Sequence, residues 1–244
     1  MSEQSEDLTK QPFMAHLIEF RDRALRALIS ILIIFAALFS FSQELYLYIS
    51  EPIREYLPAN TSMIATEVAS PFLTPFKLTL VLSLFAAMPY ILYQVWAFVA
   101  PGLYQREKKI VVPLFFSSVF LFYAGMAFAY YIVFPLVFMF FTSIAPEGIS
   151  VMPDIRSYLD FVLKLFFAFG LSFEIPIAVV ILSWMGAVDP DNLVKKRPYV
   201  FVLCFILGML LTPPDIISQT LLAIPMWLLF EIGILFGRLV KPKD

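Results

Sequence analysis

Apolar residues fall into six long runs, separated by shorter stretches that hold most of the charges, prolines and polar side chains. The runs lie at about 24–41, 76–97, 110–142, 159–185, 199–212 and 216–236. Each is long enough, or apolar enough, to be a membrane-crossing helix. Two depart from the ordinary length. The third runs to about 33 residues and must tilt or protrude, with Pro135 placed to kink it near one end. The fifth, Tyr199 to Leu211, reaches roughly 20 Å as a helix against a hydrocarbon core of about 30 Å, and Thr212-Pro213-Pro214-Asp215 stops it abruptly.

The segments between the runs predict smaller features. In the loop at 42–75, Leu45, Ile49, Ile53 and Tyr56 recur at helical spacing, so a short amphipathic helix on the outer face is expected. Ser50 is expected to cap a second short helix, with Pro52 in its first turn. Pro71 and Pro75 are expected to lead into the second span. Trp96 and Tyr104 read as interfacial aromatics.

Composition agrees with a membrane protein: 61% hydrophobic and 15% charged, where soluble domains carry about 25% charged residues. The net charge of −2 offers nothing to nucleic acid. One cysteine, Cys204, and one histidine, His16, make a metal site an unexpected reading. Thirteen of the seventeen Lys and Arg residues lie on one set of span ends. The positive-inside rule then puts both termini in the cytoplasm, consistent with an even number of spans. The first apolar run lacks a small-residue cleavage site and is read as a retained span. There is no phosphate-binding loop, no nucleophile-and-base pair and no intramembrane aspartate pair, so neither catalysis nor a cofactor is expected. No internal repeat is visible, which weakens a secondary-transporter reading.

A few polar residues stand out against this apolar background. Glu174, in Phe169-Gly170-Leu171-Ser172-Phe173-Glu174-Ile175-Pro176, has no charged neighbour within nine residues on either side. It is either a protonated group filling a helix interface or a polar point in a concave face. Pro176 weakens the helix beside it. Glu19, in His16-Leu17-Ile18-Glu19-Phe20-Arg21-Asp22-Arg23, either pairs with Arg23 at i,i+4 or accepts a partner's arginine. Arg21 and Arg23 read most simply as headgroup anchors. Glu107, among Arg106, Lys108 and Lys109, poses the same choice as Glu19. Lys195-Lys196-Arg197 reads as an orientation signal, and Glu231 is placed to reach water or Arg238. Met209, Thr212, Asp215, Ser218 and Gln219 gather around the last turn, either as a polar cap or as a docking edge for another helix.

Taken together, the stretches His16–Arg23, Met63–Phe72, Tyr93–Lys109, Phe122–Pro135, Phe169–Pro176, Lys195–Tyr199, Met209–Asp215 and Ser218–Pro225 resemble the TatC family, of the proteobacterial type. TatC is the multispanning subunit of the twin-arginine protein translocase. The resemblance covers roughly residues 12–238. Phe20 stands where the family often has leucine, and Asp22 interrupts the basic run.

The resemblance implies an all-α integral membrane protein, a single TatC-type domain over 1–244 with six transmembrane helices, a glove-like concave face and a short fifth span. It implies a signal-peptide receptor and translocase core in the bacterial inner membrane, driven by the proton-motive force. The implied partners are TatA- and TatB-like single-span subunits and the twin-arginine signal peptides of folded precursors, with several copies in one complex among membrane lipids. By motif, Glu19 and Glu107 match the twin-arginine-binding carboxylates, with Arg21 grouped beside them. Phe98 and Pro52 match positions important to function. Glu174 matches the buried glutamate of the concave face, and Met209, Thr212 and Gln219 match a docking site for a partner helix, with Asp215 adjoining. Two other classes compete. A proton-coupled carrier would use Glu174 as its proton site, and a passive scaffold would only recruit helices.

Overall fold

A computed structural model describes residues 2–56, 63–99, 108–143, 152–211 and 216–240. All the regular structure there is helical, apart from one isolated bridge pair joining Ile64 and Asp154. The chain divides into two compact units, residues 1–41 with 79–119, and residues 42–78 with 120–244.

The first unit is built on α1 (Ser2–Leu38) and α4 (Met88–Val99), which pack together. It also holds the later part of α3 (Ser70–Ala86) and the start of α5 (Lys108–Phe128). α3 and α4 form one apolar segment bent by 48° at Ala87. Two sequence features account for the bend. Pro89 has no N–H and crowds the preceding turn. Ser83 Oγ donates back to the carbonyl of Thr79 at 2.6 Å, a bond that loosens and curves a helix. Trp96 on α4 is buried against neighbouring residues. Tyr104 lies outside the described residues.

The second unit starts with α2 (Ser42–Tyr56), the amphipathic helix expected from the spacing of Leu45, Ile49 and Ile53. Ser50 does not cap a new helix. It is buried inside α2, and its hydroxyl donates to the Leu47 carbonyl at 3.0 Å, so the helix runs through it. Pro75 likewise lies inside α3, which already begins at Ser70. The third expected span is α5, a wide π turn at Ala129–Val133, and α6 (Phe134–Ser143). The Phe134 N–H reaches back five residues to Ala129. Pro135, one residue on, cannot restore the regular ladder, so the irregularity sits where the proline predicts it.

α7 (Ile155–Ser172) is started by Asp154, whose carboxylate accepts the Ser157 N–H at 3.0 Å and the Thr66 N–H at 3.1 Å. These bonds and the Ile64–Asp154 bridge tie the segment before α3 to the head of α7. Ion pairs join the same two regions, Glu67 to Arg156 and Lys77 to Asp160. α8 (Ile175–Trp184), α9 (Pro190–Lys195), α10 (Arg197–Leu211) and α11 (Ile216–Val240) follow. α8 and α11 make the most extensive helix pairing of this unit. Gly233 and Gly237 allow it, since a methyl group at Gly233 would lie 3.1 Å from Pro176 Cα. Phe122, Phe134, Phe169, Leu159, Leu222 and Met226 fill the core.

Four helical stretches, His16–Glu51, Val112–Phe141, Ile155–Trp184 and Ile216–Val240, are each long and apolar enough to cross a membrane. The bent α3–α4 pair supplies a fifth. The shorter α10, 15 residues, corresponds to the short element expected at 199–212. Glu231 pairs with Arg197, not Arg238, which turns instead to Asp191 at 2.9 Å. Arg197 is therefore a structural partner across the fold as well as part of a basic cluster.

Candidate functional site

His16, Glu19, Phe20 and Arg23 stand at i, i+3, i+4 and i+7, so a helix puts them on one face of α1. Gln94 and Phe98 are four apart and share a face of α4 by the same rule. The α1–α4 packing brings the two faces together. The Phe98 ring stacks on His16 with centroids 4.2 Å apart and meets Phe20 edge-on at 5.8 Å. On the same face of α1, Arg23 donates to Glu19 through Nε at 2.9 Å and Nη2 at 2.7 Å. Both bonds fall on the same oxygen, Oε1. The third nitrogen, Nη1, donates to Gln94 Oε1 at 3.3 Å. Gln94 is buried, whereas the Glu19 side chain is 38% exposed. A carboxylate is thus presented on the same helix face as the His16 and Phe20 rings, already in charge-assisted contact with a guanidinium. That is the chemistry that receives arginine: a fork of N–H donors on a carboxylate, with a planar cation able to lie against rings.

The i,i+4 pairing of Glu19 with Arg23, one of the two alternatives for Glu19, is the arrangement present. Arg21 is not brought into this cluster; its guanidinium bonds Asp22 at 2.7 and 2.9 Å. Glu107, Thr212 and Asp215 lie outside the described residues. Pro52 sits within α2, and its side chain is likewise outside the described set. Gln94 and His16 carry contacts that no sequence motif assigned to them. The available signal was the four-residue step from Gln94 to Phe98, a polar residue on the same face as a candidate aromatic.

Glu174 occupies the joint between α7 and α8, where the helix breaks as Pro176 requires. Its backbone N–H bonds Leu171 and its carbonyl accepts from Ala178. The preceding Phe169-Gly170 is packing machinery. A methyl group at Gly170 would lie 2.8 Å from the Phe122 ring, and one at Gly125 would lie 2.5 Å from the Phe169 carbonyl oxygen. α5 and α7 therefore approach glycine to phenylalanine in both directions and set the height of the Glu174 joint.

Met209 and Gln219 border one shallow groove with Phe201, Val202, Phe205 and Ile206. Gln219 spans the α10–α11 hairpin, its amide donating to the Phe205 carbonyl at 2.7 Å. Gly208 faces it, where a methyl group would lie 3.1 Å from the Gln219 carbonyl oxygen. No group of three or more metal-ligating side chains forms among the described residues.

Comparison with known proteins agrees with this architecture. The model of the family Sec-independent protein translocase protein (TatC) matches residues 15–225. A TatC of Azotobacter chroococcum is 61% identical over 96% of this chain and 91% of its own length. That of Escherichia coli K12 is 58% identical over 96% and 90%. A crystal structure of a twin-arginine translocase receptor, TatC, superposes with a TM-score of 0.84 at 36% identity, covering 92% of this chain and 99% of the other. The chain therefore belongs to the TatC family: it is an all-helical bacterial membrane protein and a component of the twin-arginine, Sec-independent protein translocase.

Proposed function

We propose that this protein is the signal-peptide receptor and core subunit of its translocase, exporting folded proteins across the cytoplasmic membrane at the expense of the proton-motive force. The observation that carries the reading is the α1–α4 cluster, where Glu19 holds a guanidinium on the α1 face whose His16 and Phe20 rings meet Phe98. Glu19 and Glu107 are the acceptors for the paired arginines, with Phe98 as the neighbouring apolar surface. The solved relative is described as a receptor, which supports the assignment.

Two carboxylate contacts at a wet rim supply little affinity, on the order of 1 kcal/mol each. Burial of the apolar stretch of the signal peptide must supply more, at about 25 cal/mol per Å². Arginines thus select and apolar contact holds. Glu174, at the α7–α8 joint, is the polar floor of the path and acts after recognition. Met209, Thr212 and Gln219, with Asp215 next to them, form the docking edge for single-span TatA- and TatB-like helices. Pro52 in α2 and Arg21 on α1 act as supporting positions. The reading treats residues 1–244 as one TatC-type domain in several copies per complex, with six spans and both termini in the cytoplasm, as the distribution of Lys and Arg favours.

Photocross-linking from a probe placed beside the arginine pair of the precursor tests this. Twin-arginine precursors should cross-link to this chain more strongly than twin-lysine precursors, and Glu107→Gln or Glu19→Gln should cut the yield several-fold, as contacts of about 1 kcal/mol require, without affecting membrane insertion. Equal cross-linking of both precursors would refute arginine reading at this rim.

A further inference from the structure

Where α3 and α7 begin, the second unit encloses a cavity that signal-peptide recognition does not use. Ser70, Leu73, Thr74 and Lys77 stand at i, i+3, i+4 and i+7 and share one face of α3. Arg156, Leu159 and Asp160 share a face of α7 by the same spacing. With Glu67, the two faces line a cavity of about 210 Å³. Two of its lining groups are out of place in a filled protein interior. Ser70 and Thr74 are only 2% and 3% exposed, and neither hydroxyl has a hydrogen-bond partner among the described residues. A buried hydroxyl left unbonded is costly. The space beside them exceeds what one or two bridging waters would occupy.

The charges around the cavity narrow the occupant. Glu67 and Asp160 supply two negative charges, and Lys77 and Arg156 two positive ones. They pair as Glu67 with Arg156 and Lys77 with Asp160, the latter at 2.6 Å. All four side chains are at least a third exposed, so these pairs are weak and can exchange partners. A simple anion would meet two carboxylates here, and a simple cation would meet two basic groups. A molecule carrying both charges close together suits the ring.

We infer that this cavity is a binding site for the headgroup of a zwitterionic phospholipid with a primary amine. The phosphodiester oxygens accept from the Ser70 and Thr74 hydroxyls and from Lys77 and Arg156. The ammonium group donates to Glu67 and Asp160, with charge-assisted bonds that a quaternary amine cannot make. Binding is non-covalent, and no proton is transferred. The lipid form of this headgroup, rather than a soluble one, follows from the surroundings. Leu73 and Phe76 line the cavity yet remain exposed, and the Phe72 ring stacks on Phe76 at 6.5 Å, so the site opens onto an apolar helix face suited to acyl chains. The stretch Ile155–Trp184 is long and apolar enough to cross a membrane, which puts its first turns at headgroup level.

Native mass spectrometry of the delipidated full chain in detergent tests the inference. Phosphatidylethanolamine, phosphatidylcholine and phosphatidylglycerol with identical acyl chains are offered in competition. Phosphatidylethanolamine should be retained preferentially. Ser70→Ala with Thr74→Val should weaken its binding by about tenfold, and each single change by about threefold. Ser183→Ala, which removes another buried hydroxyl without a partner but lies on α8 outside the cavity, should change nothing. Glu67→Gln with Asp160→Asn should turn the preference toward phosphatidylglycerol, because only the basic groups then remain charged. Thermal melts read through Cys204 check folding: without lipid, the hydroxyl variants should melt no lower than the parent, and added phosphatidylethanolamine should raise the parent's melting point but not theirs. Equal retention of the three lipids, or unchanged binding by the folded double hydroxyl variant, overturns the site. A lower melting point of the lipid-free hydroxyl variants overturns it too, since the hydroxyls would then serve the fold. Displacement of the lipid by an equal concentration of glycerophosphoethanolamine overturns the lipid assignment.

Discussion

Gly125→Ala isolates how tightly α5 and α7 are held together, and with them the joint that carries Glu174. An added methyl group at Gly125 would lie 2.5 Å from the Phe169 carbonyl oxygen, 2.9 Å from its carbonyl carbon and 3.0 Å from a ring carbon of Phe173. The nearest atoms belong to backbone, so no side-chain rotation relieves the clash, and the helices must part by about 1 Å to reach ordinary contact. Two effects compete. Alanine gains about 1 kcal/mol of helix propensity over glycine. Overpacking of a filled interior costs about 1–3 kcal/mol, and the upper end applies here because parting the seam also loosens Phe122, which sits on Gly170, and Phe169; both rings are fully buried. The net loss is about 2 kcal/mol, equivalent to a melting point lower by roughly 4–8 °C in a chain of this size. The protein carries its own reporter: Cys204 is the single cysteine and is buried, so a thiol-reactive fluorogenic maleimide signals unfolding in detergent. Gly186→Ala is the contrasting control, with nothing near the new methyl but a φ of +70°, and should cost only about 1 kcal/mol. A Gly125→Ala protein melting at or above the unsubstituted temperature would mean that propensity wins, and that the seam does not set the Glu174 joint.

The same melt reads two further changes. Glu231→Gln leaves Arg197 without its carboxylate and should cost about 1–2 kcal/mol, below the figure for a fully buried pair because the Arg197 side chain is 43% exposed; pairing it with Arg197→Met should recover part of the loss. Tyr158→Phe removes the buried hydroxyl that donates to the Ile49 carbonyl at 3.0 Å and should cost about 1 kcal/mol, with no change in melting point as the refuting result. Acid sensitivity follows from Asp154, whose carboxyl is lowered from 3.8 to about 2, chiefly by the Ser157 N–H and further by Thr66. A depressed folded-state value means the contribution is complete above about pH 4 and is lost as pH falls toward 2; Asp154→Asn should flatten that part of an acid titration followed by tryptophan fluorescence.

Much of this protein is written locally, and local features were readable. Six apolar runs became the apolar helices because a stretch of about 20 apolar residues has only one way to satisfy its backbone in lipid. The break beside Pro176, the irregular turn before Pro135 and the amphipathic α2 followed from chain stereochemistry. The Glu19–Arg23 pair was legible as one alternative, since i,i+4 neighbours meet on any helix. What sequence spacing could not supply was the identity of partners far apart in the chain. Glu231 takes Arg197, 34 residues away, over the nearer Arg238, because helix packing sets the distance between them. Gln94 meets Arg23 across 71 residues for the same reason, and Gly125 shows its purpose only against the backbone of Phe169. Composition and periodicity thus determined that the chain lies in a membrane and where its helices run. Tertiary packing alone decided which polar groups those helices bring together, because contacts between helices depend on the azimuth and spacing of whole elements rather than on any one residue's neighbours.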